Sequence, residues 1–170
     1  MRKALIVMDL QNDYLWANRK EKFSYDTSQI INKVNDIIKE YQNNGYDIIY
    51  IAHVIHNNWL NNKIFGFSLR GTQGVKLYDK LDIVSDYYFE KLLPSAFSSR
   101  KFVKFMKDKQ YNSVVLCGID QCGCVYATAN NEVNYGISVE MIMEGTATIY
   151  SDSKAEKIRS KLKRKGVKYI

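Results

Sequence analysis

The sequence predicts a single α/β domain over residues 1–170, in which helices cover both faces of a doubly wound parallel sheet. The length of 170 residues is typical of one domain. A hydrophobic fraction of 46% and a single proline exclude a disordered or low-complexity protein. Short apolar runs alternate along the chain with segments of helical periodicity, which is the pattern of parallel strands joined by crossover helices.

The first half of the chain contains two predicted strands around one helix. Ala4–Met8 is apolar throughout, as expected of a strand that is buried on both faces. A helix is expected from Asp26 to Gly45, because a capping residue, a periodic apolar face and a terminating glycine follow one another. Asp47–Val54 is the second predicted strand. Residues 56–80 are rich in Asn and Gly without a sustained period, so we expect a functional loop there.

The second half continues the same alternation. Further strands are expected at Val84–Phe89, Ser113–Cys117, Ile137–Met143 and Val167–Ile170. The helices between them are expected to begin at Ser98, Cys124 and Ser153, where each is followed by apolar residues at helical spacing.

The net charge of +7 is concentrated near the end of the chain. Residues 151–170 contain eight Lys or Arg against two acidic residues, so the first 150 residues carry a net charge of only +1. A basic stretch confined to one helix is typical of a solvated helix face, so nucleic-acid binding is not expected.

The sequence also bears on the cellular compartment. No apolar run approaches the ~20 residues that cross a bilayer. The apolar run near the N-terminus is too short for a signal peptide, and three cysteines do not suggest a disulfide framework. These features predict a cytoplasmic protein with no membrane contact.

Three reactive side chains follow predicted strands. Asp9 follows the first strand, Lys91 the third, and Cys124 follows the fourth after a short turn. Ligands of open α/β sheets bind beyond the carboxyl ends of the strands, so these three residues are expected at one edge of the sheet. There Cys124 could act as a thiolate nucleophile, stabilised by the helix N-terminus and by Lys91. Asp9 could move the proton, and backbone N–H groups of the turn could hold an oxyanion.

The residues alone leave other interpretations open. Cys122 and Cys124 could form a metal or redox pair, but they lack the C-x-x-C spacing. Asp9 could be the nucleophile of a haloacid-dehalogenase-type phosphatase, but Gln11 stands where those enzymes carry a second Asp. Each of the three reactive residues taken singly could also be structural.

Three motifs resemble those of the isochorismatase-like cysteine hydrolases. They are Ala4-Leu-Ile-Val-Met-Asp9-Leu-Gln-Asn-Asp13-Tyr14, then Gly71-Thr-x-Gly74 with Lys91-x-x-x-Ser95-Ala-Phe97, and Gly118-Ile119-x-x-x-x-Cys124-Val125-x-x-Thr128-Ala129. The resemblance implies a six-stranded parallel sheet in a Rossmann-like order. It also implies an Asp9, Lys91 and Cys124 triad that works through a thioester. The turn formed by Ile119, Asp120 and Gly123 would carry the oxyanion site and a cis peptide between Ile119 and Asp120.

Departures from the family pattern narrow the expected function. Nicotinamidases of the family bind a metal through an Asp-x-His pair after the second strand, whereas this chain has Ile51, Ala52 and His53 there. We therefore expect neither metal nor cofactor. The substrate is expected to be a small amide, carbamoyl or lactam compound whose C–N bond is cleaved. The alternatives are a catalytically silent binding or assembly protein of the same fold and an isochorismatase-type vinyl-ether hydrolase.

Positions next to the motifs suggest a pocket and an assembly. Gln11, Tyr14 and Phe97 are the candidate substrate-pocket residues. The family resemblance and the expected apolar surface predict a homodimer or homotetramer.

Overall fold

Six parallel strands form the centre of the molecule. The computed structural model describes residues 2–170, apart from the side chains of Glu132 and Asn134. The strands are β1 (Arg2–Met8), β2 (Asp47–His53), β3 (Tyr88–Lys91), β4 (Tyr111–Ile119), β5 (Ser138–Ala147) and β6 (Lys168–Tyr169). Their order in the sheet is β3-β2-β1-β4-β5-β6, and every neighbouring pair is parallel. The predicted α/β class and the six-stranded, doubly wound sheet are therefore confirmed.

Helices cover both faces of this sheet. They are α1 (Asn12–Leu15), α2 (Thr27–Asn43), α3 (Trp59–Ile64), α4 (Arg100–Lys109), α5 (Tyr126–Asn134) and α6 (Asp152–Lys163). Side chains of β1 alternate between two apolar cores, as the pleat of a strand requires. Leu5 and Val7 pack with the buried face of α2, whereas Ile6 and Met8 pack with residues of α4, α5 and α6. Within residues 2–170, no helix combines the length and the apolar character needed to cross a bilayer.

The strand order creates a crevice beside β1. From β1 the chain proceeds outward through β2 and β3, and it then returns to place β4 on the other side of β1. Such a reversal is the usual place of a ligand site in open α/β sheets. β1 and β4 approach closely at this point. A side chain at Gly118 would overlap the Met8 carbonyl oxygen, and Gly118 also has a positive φ of 113°.

Several predicted boundaries differ from the structure by a few residues, and the starts of β3 and of the last helix show why. β3 begins at Tyr88 rather than at residue 84, because the Tyr50 hydroxyl holds the preceding backbone. That hydroxyl donates to the Asp82 carbonyl and accepts from the Val84 N–H, which takes this segment out of the strand ladder. The last helix begins at Asp152, because Ser151 rather than Ser153 provides its N-terminal cap.

Candidate active site

Three strands deliver the reactive side chains to the crevice. Asp9 directly follows β1, where its backbone turns with a positive φ of 55° and its N–H donates to the Ile51 carbonyl at 2.8 Å. Lys91 is the last residue of β3, two strands away from β1. Its long side chain therefore passes β2 to reach Asp9. Cys124 lies in the π-helical turn Gln121–Val125 between β4 and α5.

The three side chains meet in a buried cluster. The Lys91 Nζ lies 2.8 Å from the Asp9 Oδ2, and it donates to the Cys124 Sγ at 3.2 Å. Asp9 is only 2% exposed and Lys91 only 1% exposed. Apart from this contact with Lys91, the Asp9 oxygens accept no well-directed hydrogen bond from the described residues. The carboxylate therefore keeps acceptor capacity beside the thiol.

The ionisation of the cluster differs from the prediction in one respect. Burial raises the pKa of the Cys124 thiol, and the negative charge of Asp9 raises it further, while Lys91 lowers it. The net direction is upward, so the prediction of a thiolate at rest was wrong: the thiol is protonated at neutral pH. For Lys91, burial lowers the pKa, but the negative charge of Asp9 and the contact with the Cys124 sulfur raise it more, so Lys91 stays an ammonium.

A hydrogen-bonded loop fixes Lys91 relative to the cysteine turn. The Ala96 N–H, five residues after Lys91, donates to the Thr128 Oγ1 on α5 at 2.9 Å. Both Ala96 and Thr128 are fully buried. The Asn131 amide, also on α5, donates to the Ser95 hydroxyl at 2.8 Å. These two hydrogen bonds connect the segment after Lys91 with the helix after Cys124, so they hold Lys91 and Cys124 in position relative to each other.

Asp120 organises the turn that precedes Cys124. The peptide bond between Ile119 and Asp120 is cis. The Asp120 carboxylate accepts four hydrogen bonds, from the Tyr25 hydroxyl at 3.1 Å, the Cys122 N–H at 2.7 Å, the Thr148 hydroxyl at 2.9 Å and the Ile149 N–H at 2.8 Å. The Gly123 N–H donates to the Asp120 carbonyl at 3.0 Å. Gly123 therefore closes the turn, and its N–H is not available to an oxyanion.

A cavity of about 310 Å³ opens beside the cluster. Asp9 and Cys124 lie at its buried end, and Ile119, Asp120 and Gly123 form part of its wall. The rest of the lining is largely aromatic and consists of Tyr14, Phe23, Tyr25, Phe67 and Tyr150, together with Lys22, His53 and Ile149. Such a volume is at the small end of the range for small-molecule sites. The predicted pocket residue Tyr14 does line this cavity.

His53 lies in the cavity wall with both ring nitrogens occupied. Its Nε2 is 3.0 Å from the Leu92 carbonyl oxygen, which can only accept, so Nε2 carries the proton. The Nδ1 then accepts from the Tyr14 hydroxyl at 3.2 Å, and Ser68 donates to the same hydroxyl oxygen at 2.7 Å. Burial lowers the pKa of His53, and the charge of Lys91 lowers it further, so the ring is neutral.

The described residues around His53 do not form a metal-binding site. Ile51 and Ala52, which precede His53, are apolar and fully buried. Among residues 2–170, no group of three or more His, Cys, Asp or Glu residues is placed to hold a metal ion.

Two predicted pocket residues lie elsewhere. Gln11 is fully buried, and its amide donates to the carbonyls of His53 at 3.0 Å and Val75 at 2.7 Å. Its side-chain oxygen accepts from the His53 N–H at 2.8 Å, so Gln11 joins β1 to β2 instead of facing the cavity. The Phe97 ring stacks on Tyr135 with centroids 4.7 Å apart and lines a different cavity. Neither side chain therefore lines the cavity beside Cys124, because adjacency to a motif does not determine where a side chain points.

Other cavity residues were missed by the sequence analysis. Lys22, Phe23 and Tyr25 come from the loop before α2, and Phe67 comes from the region 56–80 that was expected to be functional. The rings of Phe23 and Phe67 pack edge to face with centroids 5.0 Å apart. None of these residues belongs to a motif, and only the unusual length of the loop at 56–80 signalled part of this wall.

The chain matches a family model and is similar to several known proteins. A family model described as the isochorismatase domain matches residues 3–166. Two uncharacterized isochorismatase family proteins of Bacillus subtilis (strain 168) are similar in sequence. YddQ is 23% identical over 149 residues, covering 87% of this chain and 79% of YddQ. PncA is 26% identical over 168 residues, covering 91% of each chain.

Solved structures share the fold. The pyrazinamidase of Pyrococcus horikoshii, solved in complex with zinc, gives a TM-score of 0.85 at 23% identity and covers 100% of this chain and 99% of that one. The N-carbamoylsarcosine amidase of Thermoplasma acidophilum gives a TM-score of 0.81 at 18% identity and covers 99% of this chain and 95% of that one.

Proposed function

The chain belongs to the isochorismatase family, and on that premise we propose that it is a cysteine hydrolase that cleaves the C–N bond of a small amide, carbamoyl or lactam compound. One observation carries the proposal: a buried ammonium, that of Lys91, contacts both a carboxylate and a thiol at the end of a small cavity. Pyrazinamidase and N-carbamoylsarcosine amidase among the similar structures support amide chemistry.

Acylation begins from the protonated thiol. Asp9 accepts the Cys124 proton while Cys124 Sγ forms a bond to the substrate carbonyl carbon, giving a tetrahedral oxyanion. The proton then passes from Asp9 to the substrate nitrogen as the C–N bond breaks, and ammonia or an amine leaves. Because the pKa of Cys124 is raised by burial and by Asp9, proton transfer has to accompany attack. Lys91 stabilises the charge that moves between carboxylate and sulfur.

Deacylation uses the same groups in reverse. Asp9, again a carboxylate, takes a proton from a water molecule whose oxygen attacks the thioester carbonyl. The C–S bond breaks, the proton returns to Cys124, and the carboxylic acid leaves the cavity. No group other than water is consumed, so the cycle ends with the enzyme in its initial state.

The proposed reaction does not involve a metal. A similar pyrazinamidase contains zinc, but the residues present here do not fit one. Both nitrogens of His53 are already bonded within the protein, and its neighbours Ile51 and Ala52 carry no donor atoms. We therefore derive no step through a metal ion.

We also propose that the protein forms a homodimer or homotetramer. Several large apolar side chains are exposed, including Trp59 at 76% and Leu93 at 60%. Burial of such side chains between copies is favourable. Sedimentation velocity at micromolar concentration tests this, and a purely monomeric species would contradict it.

The central test combines substitution with trapping of the intermediate. A panel of small amides, carbamoyl compounds and lactams is incubated with the enzyme, and product and intact mass are measured by mass spectrometry. Turnover is expected to require both Cys124 and Asp9, so Cys124→Ala and Asp9→Asn are expected to abolish it while the circular dichroism spectrum stays native. The matched control is Cys122→Ala, which removes a neighbouring thiol. Full turnover by Cys124→Ala would contradict the proposal.

A further inference from the structure

Lys22 is a charged cavity residue that the proposed reaction does not use. It lies in the loop before α2, lines the cavity, and is exposed to solvent. The ammonium therefore stands at the open side of the cavity, away from the buried cluster of Asp9, Lys91 and Cys124.

Most other polar side chains that line the cavity already have hydrogen-bond or ion-pair partners within the protein. The Asp120 carboxylate accepts four hydrogen bonds, and the Tyr25 hydroxyl donates one of them. His53 and Tyr14 are bonded to each other and to further partners. Asp9 is paired with Lys91. A substrate that enters the cavity consequently finds few groups that can still bind a charged substituent.

The ammonium of Lys22 has no such partner among the described residues. It forms neither an ion pair nor a hydrogen bond with any of them. Its Nζ lies over two aromatic rings instead, 4.3 Å from the centroid of Phe67 and 4.9 Å from that of Phe23. Burial and the charge of Lys20 lower the pKa of Lys22, which is the consequence of a cation held without a counter-ion.

We infer that Lys22 selects a substrate that carries a carboxylate, or a similar anionic group, on the side opposite to the scissile amide. The aromatic rings of Tyr14, Phe23 and Phe67 would hold a flat or apolar body between the two ends. A carboxylate would give Lys22 the missing counter-ion through a charge-assisted hydrogen bond. This inference rests on the proposed amide hydrolysis and narrows its substrate class.

The test uses neutral and anionic amides that differ in one group. Benzamide is compared with 3-carbamoylbenzoate and 4-carbamoylbenzoate, and propionamide with succinamate, by measuring ammonia release. The wild-type protein is expected to show a higher kcat/KM on the anionic member of a pair. Lys22→Met is expected to lower the anionic-to-neutral ratio of kcat/KM about tenfold or more, since hydrogen bonds to charged groups have this order of strength. Lys22→Arg is expected to restore the ratio.

A second lysine substitution controls for overall charge. Lys39→Met removes the same charge from the exposed surface of α2, which does not line the cavity, and is expected to leave the ratio unchanged. If the enzyme hydrolyses these amides but Lys22→Met leaves the anionic-to-neutral ratio of kcat/KM unchanged, the role of Lys22 is overturned while the hydrolase proposal stands.

A binding measurement separates the two proposals when no turnover occurs. Cys124→Ala and the double variant Cys124→Ala/Lys22→Met are titrated with 3-carbamoylbenzoate and with benzamide by calorimetry. If 3-carbamoylbenzoate binds in a Lys22-dependent manner but the wild type does not hydrolyse it, the hydrolase proposal is overturned and the anion site is supported. Neither binding preference nor hydrolysis would overturn both.

Discussion

Removal of the Lys91 charge is expected to destabilise the protein strongly as well as inactivate it. The Lys91–Asp9 pair is 2.8 Å long, and its side chains are 0% and 3% exposed. At an effective dielectric constant of about 20, two unit charges at this distance attract by about 6 kcal/mol. Since each ion also loses several kcal/mol of hydration free energy, the net contribution of the pair to stability is small. Removal of one partner nevertheless costs much more, because it leaves the other charge buried and unpaired. We expect Lys91→Met to lower the free energy of unfolding by about 3–5 kcal/mol.

The double variant distinguishes an unpaired charge from lost packing. Asp9→Asn/Lys91→Met leaves no isolated charge, and Asn tolerates the positive φ at this position. We expect its free energy of unfolding to return to within about 2 kcal/mol of the wild type, so the two substitutions are strongly non-additive. Activity is expected to be absent from both single variants and from the double variant.

Urea unfolding followed by circular dichroism measures these free energies. Lys104→Met is the matched control, because it breaks an exposed pair with Asp108 on α4 and is expected to cost less than about 0.5 kcal/mol. A loss below about 1 kcal/mol in Lys91→Met, with additive behaviour in the double variant, would refute the interpretation of the cluster as a buried ion pair.

Three further outcomes are expected. Because burial and Asp9 raise the pKa of Cys124, iodoacetamide should alkylate this thiol slowly at pH 7, and Asp9→Asn should speed the reaction by removing a negative charge. Intact-mass kinetics measure the alkylation rates, and slower alkylation of the Asp9→Asn variant would contradict this expectation. Activity should survive prolonged dialysis against a chelator, with metal content read by mass spectrometry, and loss of turnover that zinc restores would show that the metal-free mechanism is wrong. Gly118→Ala should destabilise the fold far more than Gly45→Ala, because both glycines have a positive φ but only the Cβ at position 118 would overlap the Met8 carbonyl oxygen. Equal thermal midpoints for the two variants would contradict the argued close approach of β1 and β4.

The sequence predicted elements whose local pattern agrees with the tertiary structure. The strand before Asp9 and the helix after Asp26 lie where the apolar pattern placed them. The start of β3 could not be predicted, since it depends on a hydrogen bond from the Tyr50 hydroxyl on a neighbouring strand. The start of α5 shifted for a similar reason, because the turn that holds Cys124 is organised by the distant Tyr25 and Thr148 through Asp120.

The site was predictable in composition but not in its electrostatics. The rule that ligands bind beyond strand ends placed Asp9, Lys91 and Cys124 together, and these three side chains are in contact. The protonation of the thiol depends on the burial of Asp9 and Lys91 beside the partly buried Cys124, and no local motif contains this information. Lys22 and Phe67 come from separate loops that meet only in the folded chain, so their shared wall has no sequence signature.

The incomplete hydrogen bonding of Asp9 connects the stability of the site with its chemistry. A buried acceptor atom without a hydrogen bond costs about 1–3 kcal/mol. Apart from the 2.8 Å contact with the Lys91 ammonium, the Asp9 oxygens accept no well-directed hydrogen bond from the described residues. Here the open acceptor belongs to the carboxylate that shares the Lys91 ammonium with the Cys124 thiol. A further donor to Asp9 would stabilise the fold, but it would also occupy the oxygen that the thiol proton needs. The loss of stability and the capacity to accept that proton are therefore properties of the same oxygen atoms.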